Sequence, residues 1–130
     1  DCTLICIHHE SKQIQWAGAN NHLWILQDGD LSEHKADKQP VAFYEHEKEF
    51  ATRTLSVKPG DFMYLLSDGY GDQFGGVRGK KYKNKTLKEF LLSIRSQNEQ
   101  EQVKSLHQNI LHWKGELDQV DDITVAVIRF

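Results

Sequence analysis

Two prolines, two cysteines and one methionine stand in 130 residues, and no apolar run approaches the length of a membrane span. No signal peptide is present, so contact with a membrane through this segment is not expected. Charge of either sign is not in large excess. The formal net charge of −3 supplies no basis for nucleic acid or an anionic membrane as the main partner. Cys2 and Cys6 share one parity on a candidate strand and lack metal or redox spacing. They are expected to be reduced structural thiols, which suits a cytoplasmic protein. Internal repeats and low-complexity segments are also missing. What is there is a 38% hydrophobic fraction with three Trp, four Tyr and six Phe, enough for one core. The chain starts without Met, inside a strand-like run, and reads as cut from something longer.

The organising stretch is Phe62-Met63-Tyr64-Leu65-Leu66-Ser67-Asp68-Gly69. Five apolar residues in a row, bounded by Pro59-Gly60 and by glycines, predict a strand buried on both faces. Asp68 then leaves the core at a turn that Gly69 permits. Strands are also predicted over 2–8, 13–17, 23–27, 31–35, 52–57 and 123–130. Asp28-Gly29-Asp30 predicts a hairpin turn, and Lys58-Pro59-Gly60-Asp61 a type II turn. Residues 34–51 read as an irregular excursion, and 71–85 as a glycine-rich stretch carrying Arg78, Lys80, Lys81, Lys83 and Lys85.

Two helices are predicted before the last strand. Thr86 with Glu89 has the pattern of a capping box, followed by an apolar face of Leu87, Phe90, Leu91 and Ile94. Asn98 with Glu101 repeats the signal ahead of Val103, Leu106, Ile110 and Trp113, and Gly115 stands at a C-cap position. Antiparallel strands followed by two helices and a strand predict an α+β fold with helices on one sheet face.

Asp68 follows the buried strand and Asp121-Asp122 precedes the last one. If those strands are antiparallel neighbours, the carboxylates converge at one sheet edge, where their repulsion raises a pKa or recruits a cation. A hard ion such as Mg²⁺ or Mn²⁺ suits oxygen donors of this kind. The bland alternative is that Asp68 marks a turn and that Asp121 and Asp122 cap a loop.

Leu66-Ser67-Asp68-Gly69-Tyr70-Gly71-Asp72-Gln73-Phe74-Gly75-Gly76 with Val120-Asp121-Asp122-Ile123-Thr124-Val125 resembles the PPM-type (type 2C) metal-dependent serine/threonine phosphatases. Trp16-Ala17-Gly18-Ala19-Asn20-Asn21 and Trp113-Lys114-Gly115 are similar to the bacterial branch, the stage II sporulation protein E-like phosphatases. The resemblance spans the chain. It implies that residues 1–130 are the C-terminal portion of one phosphatase domain, part of an α-β-β-α sandwich with antiparallel sheets. It further implies two Mn²⁺ or Mg²⁺ ions in the intact domain, with Asp68 and Asp121 as ligands. Gly69, Asp72 and Asp122 are implied as supporting residues, Asp122 standing where Asn is common. No side chain acts as nucleophile: a metal-activated water hydrolyses phosphoserine or phosphothreonine, with no phosphoenzyme. A phosphoprotein substrate and an upstream sensor or regulatory domain of the same chain are the implied partners, in bacterial signal transduction.

The same resemblance exposes departures. An early Asp and an Asp-Gly pair of the family's metal site match nothing here, Asp1 included, and Ala19 stands where an acid often helps to hold a further ion. Weak metal binding and little activity are expected of this segment alone. Uncovered sheet surface and open edges predict self-association. Two other readings stand beside the phosphatase: a non-catalytic interaction module that retains the fold, and a different metal hydrolase using the same two carboxylates. The seven histidines show no metal spacing, and Ser67 has no histidine-based partner that would make it a nucleophile. The cations of 78–85 read either as a solvated loop or as a surface that steers a phosphoprotein.

Overall fold

The five apolar residues of 62–66 need cover on two sides, and the chain supplies it. The computed structural model describes residues 1–43, 45 and 48–130. Its elements are β1 (Cys2–His8), β2 (Gln13–Ala19), β3 (Leu23–Gln27), β4 (Asp30–His34), β5 (Arg53–Ser56), β6 (Phe62–Leu66), α1 (Gly69–Asp72), β7 (Phe74–Gly75), β8 (Lys80–Lys81), α2 (Lys83–Ser93), α3 (Glu99–Lys114) and β9 (Val125–Arg129). Strand β6 lies inside an antiparallel sheet of order β4-β3-β6-β9, and a second sheet has order β1-β2-β5. The architecture is α+β, with one layer of helices and two of sheet.

Period-two alternation divides the apolar residues between two cores. Met63, Leu23 and Ile25 face the β1-β2-β5 sheet and pack with Ile14, Trp16 and Val57. Phe62, Tyr64, Trp24 and Leu26 face the helices and pack with Leu87, Leu91, Leu106 and Ile110. The central strands are therefore buried on both faces, whereas β1 alternates between inward Ile5 and Ile7 and outward Cys2, Leu4 and Cys6. Leu4 is 72% exposed, and both cysteines are free and exposed, which corrects the expectation of structural thiols. No strand or helix of the described residues covers that outer face.

Local signals hold where tertiary contacts agree with them. Asn98 Oδ1 accepts the Glu101 N–H at 2.9 Å, and Glu101 Oε2 accepts the Asn98 N–H at 3.1 Å, completing the predicted capping box. The Lys58–Asp61 turn closes with a 3.1 Å backbone bond and a positive φ of 96° at Gly60. The Thr86–Glu89 box does not form, because α2 begins at Lys83 and Thr86 lies within the helix. Tyr82 sets that start. It is 3% exposed, its hydroxyl donates to Asn109 Oδ1 at 2.6 Å, and its ring meets Tyr70 and Trp113 edge-on. Tertiary packing outweighs a cap worth about 1 kcal/mol. Segment 71–85, a glycine-rich and cationic stretch in sequence, holds the end of α1, the β7–β8 hairpin and the start of α2. The last strand begins at Val125, two residues later than expected. The excursion over 34–51 leaves β4 after His34 and is then irregular apart from an isolated bridge at Asp37, its positions 44, 46 and 47 lying outside the described residues. Among the described residues no helix is long and apolar enough to cross a membrane.

Buried tyrosines tie the helices to the sheet. Tyr64 donates to Gln102 Oε1 at 2.8 Å with both residues fully buried, and Tyr70 donates to the Leu106 carbonyl at 2.9 Å. Burial pushes the Tyr64 and Tyr82 phenols up to about 12 and raises that of Tyr70 as well. Raised folded-state values favour the neutral phenols, so their contribution is complete below the ordinary value of 10.0 and lost as pH rises through about 12. In an alkaline titration, tyrosinate absorbance from these residues is expected to appear together with loss of the far-ultraviolet circular dichroism. Complete ionisation with the fold still intact would contradict the packing.

Candidate functional site

The register of the four-stranded sheet brings three separate segments to one end. Leu23 opens β3 opposite Leu65, and Val125 opens β9 opposite Leu66. Residues 20–22, 67–72 and 121–124 therefore emerge side by side, as antiparallel pairing of β6 with β9 requires. Ser67 closes the junction. Its N–H donates to the Thr124 carbonyl at 3.0 Å, its hydroxyl donates to the Asp122 carbonyl at 2.8 Å, and the same oxygen accepts the Thr124 N–H at 2.9 Å. Sequence spacing carries no signal for this role, because the partners lie 55 and 57 residues away.

Gly69 completes the approach. A side chain there would collide with the Asp122 carbonyl oxygen and stand 3.0 Å from its carbonyl carbon. Only a residue without Cβ lets the turn after β6 touch the Asp121–Asp122 backbone. The short helix α1 starts at this glycine, with Asp68 as its N-cap and no hydrogen bond from the Asp68 side chain to the helix.

Gln73 anchors the other side of the acidic loop. Fully buried, it donates from Nε2 to the carbonyls of Asp118 and Phe74, at 2.9 and 3.0 Å, and lies 3.4 Å from the Val120 N–H through Oε1. Its backbone carbonyl accepts from Trp113 Nε1 at 3.1 Å and from the Tyr82 N–H at 2.9 Å. The residue thus supports the loop that leads to Asp121, while its backbone N–H also closes α1 onto Gly69.

Asp68 and Asp72 line a crevice of about 160 Å³ together with Asn20, Asn21, His22 and Asn84. Asp68 is exposed, and Asp72 pairs with Lys81 at 2.9 Å. Asp121 and Asp122 are exposed beside this crevice rather than in its lining, and Asp121 Oδ1 accepts the Asp122 N–H at 2.7 Å. The predicted acids thus share one end of the sheet, with Asp68 and Asp72 lining the same crevice. The sequence alone carries no signal that His22 and Asn84 neighbour the site, whereas Asn20 and Asn21 belong to the Trp16–Asn21 motif and Lys81 to the cationic run. Among the described residues no group of three or more His, Cys, Asp or Glu stands close enough to hold an ion.

Replacing Ser67 with Ala removes one donor and one acceptor and leaves the Thr124 N–H and Asp122 carbonyl without this partner. A loss of roughly 1–3 kcal/mol in unfolding free energy is expected. Gly69→Ala is expected to cost more and to speed amide exchange over 121–124, because the loop must move away. Unchanged exchange in both variants would show that the junction does not hold the loop.

The family model for Stage II sporulation protein E (SpoIIE) matches residues 1–130. No curated protein matches the chain. Among solved structures, the SiaA-PP2C domain of Pseudomonas aeruginosa is similar at a TM-score of 0.90 and 26% identity, covering 98% of this chain and 50% of that one. A structure of the PP2C phosphatase domain with a fragment of the regulatory domain of SpoIIE from Bacillus subtilis is similar at 0.80 and 18%, covering 98% and 37%. The catalytic domain of the serine threonine protein phosphatase PstP, in complex with 2 manganese ions, is similar at 0.61 and 20%, covering 96% and 55%. The chain spans about half the length of the solved SiaA domain, so the comparison concerns a part of that domain. With the Ser67–Thr124 junction in place and the family match running its whole length, the chain belongs to the Stage II sporulation protein E family of PPM-type phosphatases.

Proposed function

We propose that residues 1–130 form the C-terminal portion of a metal-dependent protein serine/threonine phosphatase domain, to which they contribute Asp68 and Asp121 as metal ligands. The observation that carries this reading is the β6–β9 junction, where Ser67 and Gly69 hold the turn bearing Asp68 against the backbone of Asp121 and Asp122. Carboxylate oxygens are the donors that Mn²⁺ and Mg²⁺ take, so the residues fit such an ion in kind. They do not make a full donor set by themselves, since no three-ligand group occurs among the described residues. Further ligands then come from the rest of the domain.

When bound, a pair of such ions supplies a polarised water and positive charge for the phosphate. The chain's own residues do the positioning. Ser67 fixes the spacing between the two acidic turns, and Gln73 holds the loop leading to Asp121. Asp72 is partly neutralised by Lys81 and acts as a support. Asp122 supports the site through its backbone carbonyl, which lies against Gly69 and accepts the Ser67 hydroxyl. The substrate is a phosphoserine or phosphothreonine of a signalling protein in the cytoplasm, and an upstream sensor or regulatory domain of the same chain controls the activity. This segment alone is inactive and self-associates through the outer face of the β1-β2-β5 sheet, where Leu4 is exposed. A concentration-independent monomer by light scattering would count against that association.

The exposed Leu4 face of β1 also suits a second reading, a non-catalytic interaction module that keeps the fold. The two readings separate on one experiment. The full-length protein is expected to hydrolyse p-nitrophenyl phosphate only with Mn²⁺ or Mg²⁺, and Asp68→Asn to lose roughly 100-fold or more. Even residues behind metal ligands are typically worth about 10–100-fold. Calorimetry should show weakened Mn²⁺ binding in the same variant. Equal rates and equal Mn²⁺ affinity would remove Asp68 from the site, and no metal-dependent hydrolysis by the full-length protein would leave the interaction module.

A further inference from the structure

The β7–β8 hairpin is built more rigidly than its glycine-rich sequence suggests. Phe74 pairs with Lys81 and Gly75 with Lys80, and a 3.1 Å bond from the Gly79 N–H to the Gly76 carbonyl closes the tip over Val77 and Arg78. The hairpin is seated on the end of α3. A Cβ at Gly75 would collide with the Trp113 carbonyl, and the Gly76 N–H donates to that carbonyl at 2.8 Å. At its base, the Tyr82 N–H donates to the Gln73 carbonyl, itself held by the Trp113 indole.

This fixed element carries charge of one sign. From 73 to 88 the sequence contains Arg78, Lys80, Lys81, Lys83, Lys85 and Lys88 and no carboxylate, in a chain of net charge −3. All six cations are exposed, and among the described residues only Lys81 has an ion-pair partner, Asp72 of the crevice. Of these, Arg78, Lys80 and Lys81 lie in the hairpin, between its tip and the Lys81–Asp72 pair at the crevice, and Lys83, Lys85 and Lys88 follow in α2. Beside the tip lies a groove of about 480 Å³ lined by Val77, Trp113 and Leu117, with Lys114 and one carboxylate, Glu116, also in its lining. Val77 is fully exposed and Leu117 is 45% exposed, so apolar surface stands next to unpaired cations. Such surface is the complement of a peptide whose carboxylates flank an apolar side chain.

We propose that the β7–β8 hairpin is a docking arm for the acidic segment next to the phosphorylated residue of the protein substrate. The proposal rests on the phosphatase reading for the word substrate, and on the hairpin's own charge and geometry for the acidic segment. Arg78 and Lys80 meet the carboxylates, the Val77–Leu117 groove takes a neighbouring apolar side chain, and Lys81 marks the boundary with the crevice. Attraction between exposed charges is screened by salt, so the preference has a salt signature.

The test uses the full-length protein and two labelled phosphoserine peptides, one with Glu residues beside the phosphate and one with Gln in their place. Fluorescence anisotropy is expected to show at least tenfold tighter binding of the Glu peptide at low salt, declining as salt rises. In the Arg78→Glu/Lys80→Glu variant the preference should vanish, while hydrolysis of p-nitrophenyl phosphate stays unchanged. Equal affinity for the two peptides, or a preference that survives in the variant, would overturn the proposal. So would displacement of the Glu peptide by a single-stranded RNA that binds more tightly. Because binding needs no turnover, a full-length protein that hydrolyses nothing would defeat the phosphatase reading and leave the acidic preference measurable.

Discussion

The pairing of β6 with β9 is the constraint on which the rest depends. It sets Leu66 against Val125, so whatever follows one strand stands beside whatever precedes the other. Asp68, Asp72, Asp121 and Asp122 are all delivered to that end, and like charges gathered there repel. The junction holding them is neutral. Ser67 uses one hydroxyl to bridge the Asp122 carbonyl and the Thr124 N–H, and Gly69 lies directly on the acidic loop. The carboxylates can therefore be kept close by backbone hydrogen bonds and by the core behind them, with Asp72 alone among them paired to a cation, Lys81, among the described residues.

Behind the junction, a polar and aromatic network couples the helices to the same loop. Tyr70, Tyr82 and Trp113 pack edge to face in series, and Gln73 receives both the Trp113 indole and the Tyr82 N–H on its carbonyl. The side chain of Gln73 then reaches Asp118 and the vicinity of Val120. A buried amide with satisfied partners is a strong local restraint, because an unmade bond would cost its full desolvation. Displacement of α3 would reach the Asp121 loop through Gln73 as well as along the chain. Stability and site geometry are linked here by contact.

Much of this fold is legible in the sequence, and the legible parts share a property. The β6 run, the Asp28-Gly29 hairpin, the Lys58–Asp61 turn and the Asn98–Glu101 cap are each specified within a few residues. Their signals arise from burial period, φ preference or a side chain bonding its own neighbourhood. Thr86–Glu89 has the same local form and fails, because Tyr82 is fixed by Asn109 and two aromatic rings drawn from elsewhere. The cysteines of β1 mislead in another way. Parity places them on a common face, but nothing local says which face is covered. At the candidate site the acids are visible as residues, whereas Ser67 becomes informative only when strands distant in sequence are laid side by side, and Lys81 only when the β7–β8 hairpin turns it back to Asp72.

Electrostatics also ranks the acids within the crevice. Asp72 has the Lys81 ammonium 2.9 Å away, which satisfies much of its charge from within the chain. Asp68 lines the same crevice without an ion pair among the described residues. A divalent cation entering there would have to compete with a covalently tethered ammonium for Asp72. For Asp68 it would compete with water alone. At an exposed position, where an ion pair between side chains is worth about 0–1 kcal/mol, that competition is modest but has a definite direction. The turn that lifts Asp68 out of the core as an N-cap without a side-chain bond therefore leaves one carboxylate uncommitted, beside a pair that is already matched. The same lysine that occupies Asp72 also begins the cationic hairpin, so the border between acid crevice and basic arm falls at a single ion pair.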